Sequence, residues 1–344
     1  MTTTERPLRP PQAVARRIAA AKRVLAVTHM NPDGDAIGAL VAIGHIASAL
    51  GIDARLYCET PFPAQFAWLN PSKPMVTSLA SLGDWTPDLL LFLDCADEKR
   101  AGGEMEAFLA SCRAGGILTA CVDHHLANPL FADLNWVDAG MSATGVMVAI
   151  IAKELGLPLS GGLGEALYLA IVTDTGSFSY GNTNATAMEL AAEIVRNGLS
   201  MAEFTAKYEN IWTLDRMHLW GSLMREVRIL CDGKAVVSVV TNEHLARHKA
   251  RHTDLEGYAS WLRRLAGVKV VLLARPARNG CKLSLRSMNE VDVQKIAAEL
   301  GGGGHKGAAG VDMKEEPREA AAMALTIVCR ALGCRECDLD GRPL

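Results

Sequence analysis

VLAVTHMNPDGDAIGALVAIGHIASAL, residues 24–50, decides how this chain folds. Four apolar residues, Val24 to Val27, read as a buried strand that stops at Thr28-His29. Asn31, Pro32 and Gly34 supply turn chemistry. A helical apolar run then follows from Asp35 to Leu50. A strand that hands over to a helix through a tight turn opens an α/β unit. Turn chemistry does not explain why His29, Asp33 and Asp35 share that turn. Taken alone, Asp35 has a simple reading as the N-cap of helix 36–50.

Outward from this stretch the alternation continues. Residues 11–22 form an amphipathic pattern opening on Pro11. DARLYC (53–58), DLLLFLD (88–94) and GILTACVDHH (116–125) carry strands, and segments near 104–113 and 144–155 read as helices. Near-continuous apolar strands separated by helices indicate an α/β domain with a mostly parallel, buried sheet. From Glu165 to Leu230 the pattern is nearly all helical. Strands return at AVVSVVT (235–241), VKVVLLAR (268–275) and CKLSLRS (281–287). We therefore expect an α/β domain over 1–187, a helical connection over 188–232, and a smaller α/β domain over 233–344.

The 344 residues carry a formal charge of −3 and only 5% aromatics. That excludes a broad basic field for long nucleic acid and disfavours a long base-stacking channel. A small anionic substrate needs neither. No apolar run is long enough for a bilayer, and MTTTERPLRPPQ lacks the apolar core of a signal peptide. Nine cysteines without a disulfide-like framework suit a reducing cytoplasm. Cys329, Cys334 and Cys337 resemble part of a metal cluster, but the set lacks a fourth ligand nearby.

The chemistry lies in a recurrence. Strand 24–28 ends at His29, with Asp33 and Asp35 beyond it. Strand 88–93 ends at Asp94, and strand 117–122 at Asp123-His124-His125. The apolar segment 166–173 ends at Asp174. Strand carboxyl ends line the ligand crevice of an open α/β sheet. Carboxylates gathered there without cations would repel one another and take up protons at considerable cost, and no Lys or Arg run adjoins these motifs. Divalent metal is the economical explanation. His29, Asp33, Asp35, Asp94, His124 and Asp174 exceed the need of one ion with an open position. They suit two ions about 3.5–4 Å apart sharing a carboxylate, with Asp94 as the natural bridge. Mixed imidazole and carboxylate donors favour Mn²⁺ over Mg²⁺ and leave cobalt and zinc open.

HMNPDGDAIGA (29–39), LFLDCAD (91–97), VDHH (122–125) and IVTDTGSFSY (171–180) together resemble the four motifs of the DHH phosphoesterase family, in the family's order. CKLSLRS followed by DVQKIAAELGGGGHKGAAG (292–310) resembles the DHH-associated substrate-binding domain. Ala39 stands where many relatives carry Ser, a departure that touches no ligand. The resemblance implies that the six residues above hold metal. It implies that Asp123 orients a histidine, and that His125 faces the substrate near the scissile phosphate.

Gly301, Gly302, Gly303 and Gly304 form a glycine loop before His305, and bare backbone N–H groups can approach phosphate closely. Arg286 offers a planar fork for phosphate. With the resemblance, these residues form the expected substrate-binding set. The expected activity is hydrolysis of short single-stranded RNA or DNA oligonucleotides to mononucleotides and removal of the 3′-phosphate of pAp. A cyclic- or linear-dinucleotide phosphodiesterase is the nearest alternative. A single-strand DNA exonuclease, a pyrophosphatase and a non-catalytic nucleotide-binding regulator follow. No membrane partner is expected, and a homodimer is left open.

Overall fold

The computed structural model describes residues 9–209, 212–288 and 290–343. The chain divides into two compact units, 1–211 and 212–344. The division falls inside the 188–232 stretch read as the connection.

The first unit contains, in order, α1 (Pro10–Ala20), β1 (Arg23–Val27), α2 (Gly34–Ala49), β2 (Asp53–Tyr57), β3 (Met75–Val76) and β4 (Leu89–Leu93). There follow α3 (Met105–Ala114), β5 (Leu118–Asp123), β6 (Leu134–Val137), α4 (Thr144–Glu154), α5 (Gly161–Asp174), α6 (Ala185–Arg196) and α7 (Met201–Tyr208). Its six strands form one sheet in the order β3-β2-β1-β4-β5-β6, and every pairing is parallel. β1 and β4 are neighbours in space but not in sequence. The order reverses between them, which opens a crevice at their carboxyl ends.

Alternate residues of each strand feed opposite faces. Val24, Ala26, Leu89, Leu91 and Leu93 join a core with α1, α2, α4, α5 and α6. Leu25, Val27, Leu90 and Phe92 join a second core with α3. Both faces are covered, so β1 and β4 have no polar period, and each fully buried Leu or Val contributes about 1.5–3 kcal/mol.

Helices α2 and α5 pack backbone to backbone. A Cβ added at Gly38 would lie 2.5 Å from the Ala166 carbonyl oxygen and 2.8 Å from Ala170 Cβ. Gly38→Ala should therefore destabilise the fold by about 1–3 kcal/mol of overpacking. The gain in helix propensity, up to about 1 kcal/mol, offsets only part of this. Thermal unfolding should show a Tm lower by about 2–4 °C for each kcal/mol lost. An unchanged Tm would mean the helices part freely, and the close approach would then carry no stability.

The second unit contains α8 (Leu214–Glu226), β7 (Arg228–Leu230), β8 (Ala235–Val239), α9 (Asn242–Arg247), α10 (Tyr258–Leu262), β9 (Val270–Ala277) and β10 (Gly280–Ser287). It ends with α11 (Val293–Glu299), β11 (Gly303–His305), β12 (Ala308–Met313) and α12 (Pro317–Leu332). The sheet order is β11-β12-β10-β9-β8-β7; only β8 and β9 run parallel. One face packs on α11 and α12, the other on α8 and α10.

Two expectations need correction. The cysteines are not all unpaired: Cys231 and Cys334 form a disulfide, their Cα atoms 5.6 Å apart. The β7–β8 turn and the end of α12 bring them together across 103 residues, which no local pattern reveals. The glycine segment is not an open loop either, since Gly303–His305 is an edge strand paired with Ala308–Gly310. No described helix is long and apolar enough to cross a membrane.

Candidate metal centre

The carboxyl ends of β1, β4 and β5, adjacent in the sheet, carry His29, Asp94 and the Asp123-His124-His125 run. Asp33 and Asp35 enter with the start of α2, and Asp174 with the end of α5. Asp33, not Asp35, caps α2: its Oδ1 accepts from the backbone N–H groups of Asp35 and Ala36, both at 3.1 Å. Asp35 is thereby released from capping and lies buried beneath the turn.

Three groups of donors have ligand atoms within 4.8 Å of one another, one of them Asp94, His124 and His125. The other two trios, His29 with Asp33 and Asp94, and Asp35 with His124 and Asp174, share no residue. Asp94 faces both. Its Oδ2 lies 3.5 Å from His29 Nε2, and its Oδ1 lies 3.6 Å from His124 Nε2. His124 Nε2 is also 3.7 Å from Asp35 Oδ2 and 3.7 Å from Asp174 Oδ2. Asp94 has φ 54°, a left-handed conformation that Asp tolerates better than most residues. The bend turns its carboxylate off the strand end.

The neighbours fix orientation. His29 Nδ1 lies 2.8 Å from the Met30 carbonyl oxygen, and His124 Nδ1 lies 3.2 Å from that of Met141. Donation from Nδ1 leaves each Nε2 lone pair aimed inward, the arrangement of metal-binding imidazoles. Asp35 accepts from the backbone N–H groups of Thr144 (2.7 Å) and Gly145 (2.8 Å) at the start of α4. Thr144 Oγ1 donates to Asp94 Oδ1 at 3.0 Å. Asn182 Nδ2 donates to Asp174 Oδ2 at 3.2 Å. The sequence does not single out Thr144, Gly145 or Asn182; for Thr144 and Gly145 a helix start without an acidic residue is the only local mark.

His125 is held differently. Its Nδ1 lies 2.7 Å from Asp123 Oδ1, and Asn128 Nδ2 donates to Asp123 Oδ2 at 2.7 Å. Nδ1 is therefore committed to Asp123, although it also stands 3.6 Å from Asp94 Oδ1.

The electrostatics report crowding. Burial, then the charges of Asp94, Asp174 and Asp33, raise the pKa of Asp35 well above the carboxylate range. Burial likewise lifts Asp174 to about 7, with Asp33 and Asp94 adding to it against the pull of the histidines. Burial would raise Asp94, but the His29 hydrogen bond and the three imidazoles outweigh it and lower its pKa. Burial would lower His125, but the Asp123 hydrogen bond and the Asp94 charge raise it to about 9. Among the described ion pairs, no Lys or Arg partners Asp33, Asp35, Asp94 or Asp174. Donors bound at about 2.0–2.2 Å lie roughly 3.0–3.5 Å apart, close to the separations found. The nitrogen and oxygen donor set fits divalent cations.

In the second unit, Arg286 on β10 and residue 305 on β11 both register with Ala308 of β12. They stand in one row, about 10 Å apart across two strand spacings. The side chain of His305 lies outside the described residues. Arg286 Nη1 donates to the Leu285 carbonyl at 2.9 Å. Gly301 has φ 80°, and a side chain at Gly302 or Gly304 would strike the backbone of β12. Those three glycines have structural reasons; at Gly303 an added Cβ meets nothing.

Residues 23–171 match the family model described as the DHH family, N-terminal domain, and residues 232–330 match the DHHA1 domain. The chain is 29% identical over 293 residues to the bifunctional oligoribonuclease and PAP phosphatase NrnA of Thermus thermophilus, covering 83% of each chain. It is 24% identical over 292 residues to the Bacillus subtilis protein of the same name, covering 83% of this chain and 87% of that one. In fold it is similar to an exopolyphosphatase-related protein from Bacteroides fragilis. The TM-score is 0.82 at 23% identity, over 94% of this chain and 95% of that one.

Proposed function

This chain is a DHH-family phosphoesterase whose N-terminal domain is followed by a DHHA1 domain, and from that premise we propose that it hydrolyses short oligonucleotides and the 3′-phosphate of pAp. The observation that carries the reading is Asp94, with one carboxylate oxygen toward each donor trio. That arrangement supports two ions with Asp94 shared, His29 and Asp33 on one side and Asp35, His124 and Asp174 on the other. The donor chemistry favours Mn²⁺. Such a pair would supply Lewis acidity toward a water and toward phosphoryl oxygens.

The protein's own contribution is position and charge. His29 and His124 are locked with Nε2 inward by the Met30 and Met141 carbonyls. Thr144 and Gly145 hold both oxygens of Asp35. Asp123 keeps His125 oriented and protonated, so its ring can donate to phosphoryl oxygens as negative charge grows. The names of the Thermus and Bacillus relatives support short RNA and pAp as substrates. Arg286, His305 and the edge strand at Gly303 are the proposed substrate contacts of the second unit.

The test compares a panel of substrates with Mn²⁺ present. Wild type should cleave five-nucleotide RNA, dinucleotides and pAp, and leave long RNA and cyclic dinucleotides largely intact. Arg286→Ala should weaken cleavage of pAp and short RNA about 10-fold or more, because remote contacts align the scissile bond. Its hydrolysis of bis-p-nitrophenyl phosphate, which makes few such contacts, should change little. Equal loss on both substrates in a folded, metal-loaded variant would remove Arg286 from recognition. Turnover confined to cyclic dinucleotides would overturn the substrate assignment.

A further inference from the structure

The phosphoesterase reading leaves unused a cluster of sulfur atoms at the far edge of the second sheet. Cys231 sits where β7 turns into β8. Cys231, Asp232 and Gly233 have φ of 54°, 55° and 84°, and the Lys234 N–H closes the turn on the Cys231 carbonyl at 3.0 Å. Asp-Gly suits such a hairpin. A third left-handed residue, a cysteine, is a local cost that something else must offset. The bend carries Cys231 Sγ to 3.5 Å from Cys329 Sγ. Cys329 is fully buried in the last turn of α12.

Gly333 then caps α12 in the left-handed conformation, and the Cys334 N–H returns to the Cys329 carbonyl at 3.0 Å. The sulfurs of Cys231, Cys329 and Cys334 lie within 4.8 Å of one another. Three residues further on, Cys337 packs against the same core, outside the group of three sulfurs. A bridge between Cys337 and Pro343 folds the chain end back there, and Leu339 is buried against the same core.

Cys334-Arg335-Glu336-Cys337 has the Cys-x2-Cys spacing of zinc knuckles, and Cys329 and Cys231 complete a four-thiolate set. Sulfurs around a tetrahedral ion with bonds of about 2.3 Å lie about 3.8 Å apart, close to the separation of Cys231 and Cys329. An all-sulfur donor set without His or carboxylate selects zinc over manganese or magnesium.

We propose that Cys231, Cys329, Cys334 and Cys337 form a structural tetrathiolate site for one Zn²⁺, which fastens the C-terminal segment to the β7–β8 turn. The disulfide and the ion are alternative uses of one sulfur set. Cleavage of the Cys231–Cys334 bond takes two electrons and two protons from a cellular dithiol, which becomes a disulfide, and leaves two thiols. Zn²⁺ then binds four sulfurs and displaces four protons. The disulfide employs two of the four sulfurs; the ion employs all four and gives the strained turn its reason.

The full chain, purified anaerobically without chelator, tests this, with a parallel lysate treated with a thiol-blocking reagent for disulfide mapping. Zinc released by an organomercurial, which attacks thiolates and spares the His and Asp centre, should amount to about one equivalent per chain. X-ray absorption on the zinc-loaded protein, recorded before that release, should show sulfur neighbours at about 2.3 Å. Cys337→Ser should lose most of the mercurial-released zinc, whereas a Cys231–Cys334 disulfide would be indifferent to that change. The proposal is overturned by absence of thiolate-bound zinc in wild type. It is equally overturned by recovery of a peptide linking Cys231 to Cys334 as the main form in the blocked lysate, or by undiminished zinc release from Cys337→Ser. The first two measurements need no variant, so misfolding of Cys337→Ser cannot obscure them.

Discussion

Asp94→Ala should abolish phosphoester hydrolysis, lowering kcat by more than about 10³-fold, while the protein remains folded. Replacing an outer partner of a metal ligand costs about 10–100-fold; removing a carboxylate shared by two ions should cost more, since both lose a donor. Geometry makes Asp94 the residue to test. Its two oxygens face different donor trios, and no other carboxylate in the centre does so. Stability should change little because two effects oppose. The histidines lose an anionic neighbour, which destabilises. Asp35 and Asp174, whose carboxyls Asp94 pushes toward protonation, lose a repulsion. Metal analysis after gel filtration should show fewer Mn²⁺ per chain than in wild type, and the circular dichroism spectrum should be retained. Wild-type turnover in Asp94→Ala would end the two-ion assignment.

The clustering of these residues is largely legible in the sequence, for a physical reason. β1, β4 and β5 are buried on both faces, so they appear as unbroken apolar runs, and the polar residue that ends each run is conspicuous. His29, Asp94 and Asp123 stand at those ends. The capping residue of α2 was less legible. Asp33 and Asp35 are both good caps, and only the backbone shows that the helix begins at Gly34. β3, two residues long, and β6, with partly exposed Leu134, Asn135 and Val137, lack a strand signal. The glycine segment misled because Gly carries no strand propensity; pairing with β12 imposes the extended form. Thr144 and Asn182 act through contacts 50 and 8 residues away. Cys231 lies about a hundred residues from its partners. Such pairings arise from tertiary closure and leave no local trace.

His125→Ala and His124→Ala should separate chemistry from metal binding, although the two residues are adjacent. His124 donates through Nδ1 to the Met141 carbonyl and turns Nε2 toward Asp35, Asp94 and Asp174. Its removal takes a donor out of the second trio, so metal and activity should fall together. His125 spends Nδ1 on Asp123, which Asn128 fixes from the other side. A ring held in that way is a poor ligand through Nδ1 and a good cationic donor to substrate. His125→Ala should therefore keep its metal, while kcat falls about 10²–10³-fold, the usual loss for one charge-stabilising donor. KM should move little, because the interaction strengthens mainly as charge develops in the transition state. Asp123→Asn tests the same link one step back. An amide can hold the ring in place but no longer favours its protonated form, so the rate should fall with metal content unchanged. If His125→Ala loses metal as fully as His124→Ala, both imidazoles are ligands and the charge on the phosphoryl group is met by the ions alone. If His125→Ala retains both metal and rate, the Asp123–His125 pair serves only to brace the turn after β5.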